Sequence, residues 1–197
     1  MSYEDNATQL FIVGSHASHT MSPDLWNPVF EKLGNHWTYQ PWDVPAQGEM
    51  QEVHNGLLAA DVVGANVTMP HKQWAAAIAD ERSEQVSLSG AANLLIRQDD
   101  QLHGYNTDLI AVENRLAAKS HDHVLLLGAG GAARAALVAL KGRIGTVTIT
   151  DRNQDVAAEL LSLANGMGIR GRTVDFSHVA EAATQASLII NATPIGK

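Results

Sequence analysis

The chain contains no cysteine. Disulfides, thiolate metal sites and a thiol nucleophile are thereby excluded. Positive charge is scarce: 13 Lys and Arg against 21 Asp and Glu leave a net charge of −8. That balance argues against nucleic acid or an anionic membrane surface as a partner. No apolar run approaches bilayer-spanning length, and the polar start Met1-Ser-Tyr-Glu-Asp-Asn lacks a signal-peptide pattern. The Asn-x-Thr triplets at Asn6, Asn66 and Asn191 are accordingly read as chance, and the cytoplasm is the expected compartment. Repeats and low-complexity tracts are missing, as are a Gly-x-Ser-x-Gly elbow, a His-Glu-x-x-His pair and a Walker glycine–lysine loop. What is left, 45% hydrophobic and 17% charged over 197 residues, suits a globular chain with one large core or two small ones.

The strongest local pattern runs from His123 to Ala135. Val124 to Leu127 reads as a buried parallel strand, and Ala132 to Leu140 is rich in helix formers. Between them, Gly128, Gly130 and Ala133 fit the dinucleotide-binding fingerprint. Gly128 permits the turn, Gly130 lets backbone approach a pyrophosphate, and Ala133 lets helix and strand pack closely. The helix start then offers N–H groups and a positive dipole end to the phosphates. Gly128, Ala129, Gly130, Gly131 and Ala132 are therefore the expected cofactor contacts. Asp151, 20 residues after Gly131, is placed to bind the ribose hydroxyls of NAD.

Along the rest of the chain, strand and helix signals alternate. Strands are expected at 9–13, 37–44, 62–67, 146–150, 171–175 and 188–191, with a hairpin of 92–97 and 102–105. Helices are expected from Pro23 to Leu33, over 47–58, through Ile78, over 108–118 and over 155–164. The simplest layout is two α/β domains, 1–107 for substrate and 108–197 for a dinucleotide, the second a partial Rossmann fold. Ligands of open α/β sheets sit beyond the carboxyl ends of strands. Thr20, Ser22, Thr68, Lys72, Asn93 and Asp108 occupy such places and could converge on a small polyhydroxylated ligand. On spacing alone, caps and solvated loop residues are the favoured reading.

The blocks Gly64-Ala-Asn-Val-Thr-Met-Pro-His-Lys72, Gly90-Ala-Ala-Asn-Leu94 and Gly104-Tyr-Asn-Thr-Asp108 resemble signature segments of the shikimate/quinate dehydrogenase family. His19-Thr-Met-Ser-Pro23, Gly128 to Ala135 and Asn191-Ala-Thr-Pro-Ile-Gly196 are similar to three more, all in family order. The resemblance implies reversible reduction of 3-dehydroshikimate to shikimate, or the quinate equivalent, with a nicotinamide cofactor. It makes Lys72 the catalytic lysine and Asp108 its carboxylate partner. Thr20, Ser22, Thr68 and Asn93 become substrate contacts; Asn191, Ala192 and Thr193 join the cofactor contacts. No metal is expected, His121 and His123 included, and a homodimer is allowed for.

Several positions depart from the family pattern. Thr20 stands where serine is usual, Leu94 replaces threonine, and Leu25-Trp26-Asn27 lacks a common histidine. Where NADP users resemble Asn-Arg-Thr followed by a basic residue, this chain has Asp151-Arg152-Asn153 and then Asp155. Two carboxylates oppose a 2′-phosphate and one arginine favours it, so NAD is expected ahead of NADP. The chain stops inside a block after which the family continues with further strands and terminal helices. A piece of a longer product, or a truncated relative, is the expectation. Alternatives are a non-catalytic module that retains both clefts, and an unrelated Rossmann enzyme, which the Lys72 and Asp108 blocks disfavour.

Overall fold

The computed structural model describes residues 8–116 and 120–195, and the chain divides between Asn106 and Thr107 into two compact units. The first unit runs β1 (Thr8–Gly14), a 3-10 turn at Ala17–His19, α1 (Ser22–Lys32), β2 (Trp37–Asp43), α2 (Met50–Leu57) and β3 (Val62–Val67). It continues with α3 (Lys72–Ile78), β4 (Glu81–Arg82), α4 (Glu84–Ser89), β5 (Leu94–Gln98) and β6 (Gln101–Tyr105). Its mixed sheet has the order β2-β1-β3-β5-β6-β4. β1 lies parallel to β2 and β3, whereas β5 is antiparallel to both β3 and β6. Pro41 is tolerated because β2 is an edge strand, where a missing N–H costs no ladder bond. The β5–β6 turn has φ of 49° at Asp99 and 62° at Asp100, the left-handed pair that two-residue hairpins require. Val13, Val67, Leu57, Leu95 and Leu102 are buried in its core.

The second unit runs α5 (Thr107–Leu116), β7 (His121–Leu127), α6 (Gly131–Ala139), β8 (Ile144–Thr150) and α7 (Gln154–Gly166). β9 (Arg170–Thr173), a 3-10 turn at Phe176–His178, α8 (Val179–Gln185) and β10 (Leu188–Asn191) complete it. Its sheet is wholly parallel, in the order β10-β7-β8-β9. Leu126, Leu137, Ile149 and Leu160 fill the core between sheet and helices. Both units are α/β, and the second has the doubly wound order of a Rossmann sheet.

The structure departs from the sequence expectation in places. The helix expected over 47–58 starts only at Met50, and the hairpin's first strand begins at Leu94 rather than at 92. The polar stretch after Ile78 holds β4 and α4, and 176–187 holds α8. These helices are short and bury few side chains, Val86 and Ser89 in α4 and Ala182 in α8, so they leave no helical period in the sequence. Residues 117–118 of the expected 108–118 helix lie outside the described residues. Among the described residues no helix is long and apolar enough to cross a membrane.

Candidate active site and dinucleotide loop

In the first unit the ends of β1, β3 and β5 meet at one corner. Thr68 N donates to Val13 O at 2.8 Å, and Val67 N to Asn93 O at 2.9 Å. Ala92 N donates to Lys72 O at 2.8 Å, and Asn93 N to Tyr105 O at 3.0 Å. Backbone bonds thus bring the segments of Thr68, Lys72 and Asn93 together, and all three residues are partly accessible. Lys72 is the first residue of α3, after a cis Met69–Pro70 bond and the buried His71. His71 Nε2 lies 2.7 Å from Val44 O, which ties the loop to the end of β2. Gly14 is required here: a Cβ on it would lie 2.3 Å from Thr68 Cγ2 and 3.2 Å from Met69 O.

Thr20 and Ser22 follow β1 on the neighbouring turn. Thr20 Oγ1 donates to Ala17 O at 2.9 Å, closing the 3-10 turn. Ser22 belongs to a polar cluster that the sequence did not reveal. Tyr39 Oη donates to Asn66 Oδ1 at 2.7 Å. Asn27 brackets the same tyrosine, donating from Nδ2 to Tyr39 O at 3.0 Å and accepting from Tyr39 N at 2.7 Å. Burial pushes the Tyr39 phenol from 10.0 up to about 12, with a hydrogen bond from Ser22 opposing the rise. Such a shift favours the folded state below the unfolded value, and that advantage is lost as pH climbs from about 10 to about 12. Tyr39→Phe should therefore unfold with a flatter alkaline limb than the parent; identical stability profiles across that range would exclude this account. Asn66 sits within the Gly64–Lys72 block, but nothing in the spacing singles out Tyr39 or Asn27.

In the second unit the glycine loop adopts the geometry its residues suggested. Gly128 has φ of 93°, and a Cβ there would come within 3.2 Å of the Ala192 carbonyl and of Thr193 Cγ2. Its N–H donates to Thr150 O at 2.8 Å, and Ala192 N donates to Leu127 O at 2.8 Å. Gly130 precedes α6 as its cap in extended conformation, and a Cβ there would meet nothing within 4 Å. That open side, at the start of α6, suits an approaching pyrophosphate. Ala129 and Ala133 are fully buried. Asp151 does more than follow a strand: Oδ2 accepts from Ala129 N at 2.9 Å and Oδ1 from Asn153 N at 2.9 Å. Arg152 is exposed. Asn191 Oδ1 accepts from Thr193 N at 3.0 Å and Thr193 Oγ1 at 2.6 Å, which shapes the turn after β10. Gly196 of that block lies outside the described residues. Asp108 stands in the first turn of α5, in a different unit from Lys72. No cluster of metal-ligating side chains occurs among the described residues.

A parallel βαβ sheet with a glycine turn opening onto a helix start defines a dinucleotide-binding unit, here preceded by an α/β unit with a polar corner at its strand ends. Residues 12–95 match the model of the shikimate dehydrogenase substrate binding domain. The chain is 37% identical to the shikimate dehydrogenase (NADP(+)) of Rubrobacter xylanophilus, over 98% of this chain and 70% of that protein. It is 33% identical to that of Nitrosopumilus maritimus, over 94% of this chain and 69% of the relative. The crystal structure of Mycobacterium tuberculosis shikimate dehydrogenase superimposes with a TM-score of 0.76 at 34% identity, covering 95% of this chain and 71% of that one. A Thermus thermophilus shikimate 5-dehydrogenase, solved with NADP(H) and shikimate, gives 0.72 at 29% identity, over 94% and 68%. The chain belongs to the shikimate dehydrogenase family, whose members are oxidoreductases. The resemblance read from its six sequence blocks is thereby borne out.

Proposed function

We propose that this chain reversibly reduces 3-dehydroshikimate to shikimate with a nicotinamide dinucleotide. The observation that carries the reading is the corner where backbone bonds gather Thr68, Lys72 and Asn93 at the strand ends of the first unit. A bound reduced dinucleotide supplies the hydride. This chain's residues supply the rest: Lys72 Nζ delivers a proton to the substrate's carbonyl oxygen in reduction and receives it in oxidation. Asp108 is the carboxylate we assign to a substrate hydroxyl. Ser22, Thr20, Thr68 and Asn93 bind the ring carboxylate and hydroxyls, and the Tyr39–Asn66 pair stiffens the floor beneath Ser22.

Gly128 to Ala132, with Asn191, Ala192 and Thr193, are the residues we assign to the dinucleotide. Asp151 argued for NAD, yet its carboxylate already serves the loop amides of Ala129 and Asn153. Arg152 is exposed to meet a 2′-phosphate, and the relatives are named for NADP(+). NADP is therefore placed ahead of NAD, with Asp151 and Asp155 weakening the preference by repulsion. Asp151→Asn keeps an acceptor for one loop amide and removes a charge. It should raise the NADPH-over-NADH ratio of kcat/KM by about tenfold, which is about 1.4 kcal/mol. An unchanged ratio would show that Asp151 only braces the loop.

The reaction is tested by following reduced-cofactor absorbance on the purified chain with shikimate and quinate, each with NADP+ and NAD+. Turnover of shikimate supports the proposal. Calorimetric binding of shikimate without turnover would make the chain a ligand-binding module instead.

A further inference from the structure

The sheet of the second unit has two unlike faces. One sends Val124, Leu126, Val147 and Ile149 into the apolar core. On the other, strand register sets His123 beside Thr146 and Arg170, and Leu125 beside Thr148 and Arg172. Parallel sheets ordinarily bury both faces as near-continuous apolar runs, so the His, Thr and Arg positions at the β8–β9 end of this face need a reason. A cavity of about 380 Å³ lies on it, lined by His123, Thr146, Thr148, Arg170 and Arg172 together with β8 and β9 backbone.

Hydrogen bonds fix the cavity floor. Thr146 Oγ1 donates to the Asp122 carbonyl at 3.2 Å, which leaves it to accept from His123 Nδ1 at 3.4 Å. Nε2 of the ring then accepts from Thr148 Oγ1, 3.0 Å away and fully buried. Arg170 and Arg172, alternate residues of the edge strand β9, line the cavity's outer side. Arg172 Nη2 donates to Gln185 Oε1 at 3.2 Å, which ties one fork to the end of α8. Neither arginine pairs with a carboxylate among the described residues, and no carboxylate lines the cavity. In a chain of net charge −8, two arginines line a hollow that no carboxylate lines.

We propose that this cavity binds a phosphate group, separately from the dinucleotide loop. Guanidinium forks match the oxygens of a phosphate bidentately and remain charged at any working pH. His123 precedes Gly128 by five residues, about 17 Å along an extended strand, so one phosphate cannot serve both places. The volume exceeds what a bare ion needs and leaves room for the organic body of a phosphomonoester. The site goes beyond the proposed reaction and does not depend on it.

The test is a titration of the isotope-labelled chain with inorganic phosphate, and separately with glycerol 3-phosphate, at constant ionic strength. Nuclear magnetic resonance reads the Gly171 amide and the His123 ring beside the Gly130 and Gly131 amides. Saturable shifts are expected at Gly171 and His123, and the tighter of the two probes identifies free phosphate or a phosphorylated metabolite as the ligand. Arg170→Gln with Arg172→Gln should weaken binding there by about tenfold or more and leave the Gly130 and Gly131 responses unchanged. Arg170→Gln alone, which breaks no described hydrogen bond, should give an intermediate loss. Undiminished binding in the double variant, or linear shifts that chloride reproduces, would overturn the proposal and leave the arginines as guards of an exposed sheet edge.

Discussion

Lys72→Ala is expected to lower turnover by about 10²–10⁴-fold while the melting temperature stays near that of the parent. The reason lies in how the residue is held. Its carbonyl accepts from Ala92 N at 2.8 Å, and the preceding His71 is anchored on Val44 O, so the backbone does not depend on the lysine side chain. Alanine is also the best helix former, and Lys72 opens α3. The variant therefore removes the amine and leaves these backbone anchors in place. Lys72→Arg sharpens the test, because a guanidinium keeps the charge but does not give up a proton. It should be nearly as slow as the alanine variant. Parent-like turnover in either would remove Lys72 from the proton transfer, whereas a collapsed melting temperature would locate its role in the fold.

Gly130→Val and Gly128→Val should separate cofactor binding from folding. At Gly130 φ is −76° and ψ −167°, a conformation valine adopts readily, and added atoms meet no protein within 4 Å of the Cβ position. The branched side chain instead fills the side from which a pyrophosphate comes. Dinucleotide affinity should fall by about 100-fold or more with stability unchanged. At Gly128 the φ of 93° is closed to valine, and its Cβ would press on the Ala192 carbonyl at 3.2 Å. There the cost falls on the fold itself: about 1–3 kcal/mol of backbone strain, with further loss from the contact. Calorimetric titration with NADPH and thermal melting distinguish the two. If Gly130→Val binds NADPH as the parent does, the loop does not hold the pyrophosphate at that glycine.

These two sites differ in how far the chain itself disclosed them. Around Gly128 the information is local. A four-residue apolar strand, a turn that only glycine can make and a helix start follow one another within thirteen residues, so one short pattern specifies the geometry. The long strands and helices were legible for the same reason, since their periodicities repeat over many residues. α4 and α8 were not, because each is short and packs few side chains. The family was legible from six separate blocks in order, although each alone is modest.

The residues by themselves thus determined the two α/β units, the glycine turn and the family, all properties carried by local pattern or by ordered motifs. Tertiary structure alone decided what those residues touch. Gly14 reads as an ordinary strand end until Thr68 is found against it, 54 positions away. Tyr39, Asn27, Asn66 and Ser22 come from three elements, α1, β2 and β3, and the parallel pairing of β2, β1 and β3 sets Tyr39 and Asn66 within reach of each other. Asp151 looked like a ribose ligand by its distance from the glycines, yet a 22-residue return of the chain lays it on the Ala129 amide. Contacts between residues distant in sequence leave no periodic trace, because each depends on strand register and crossover path rather than on neighbouring side chains.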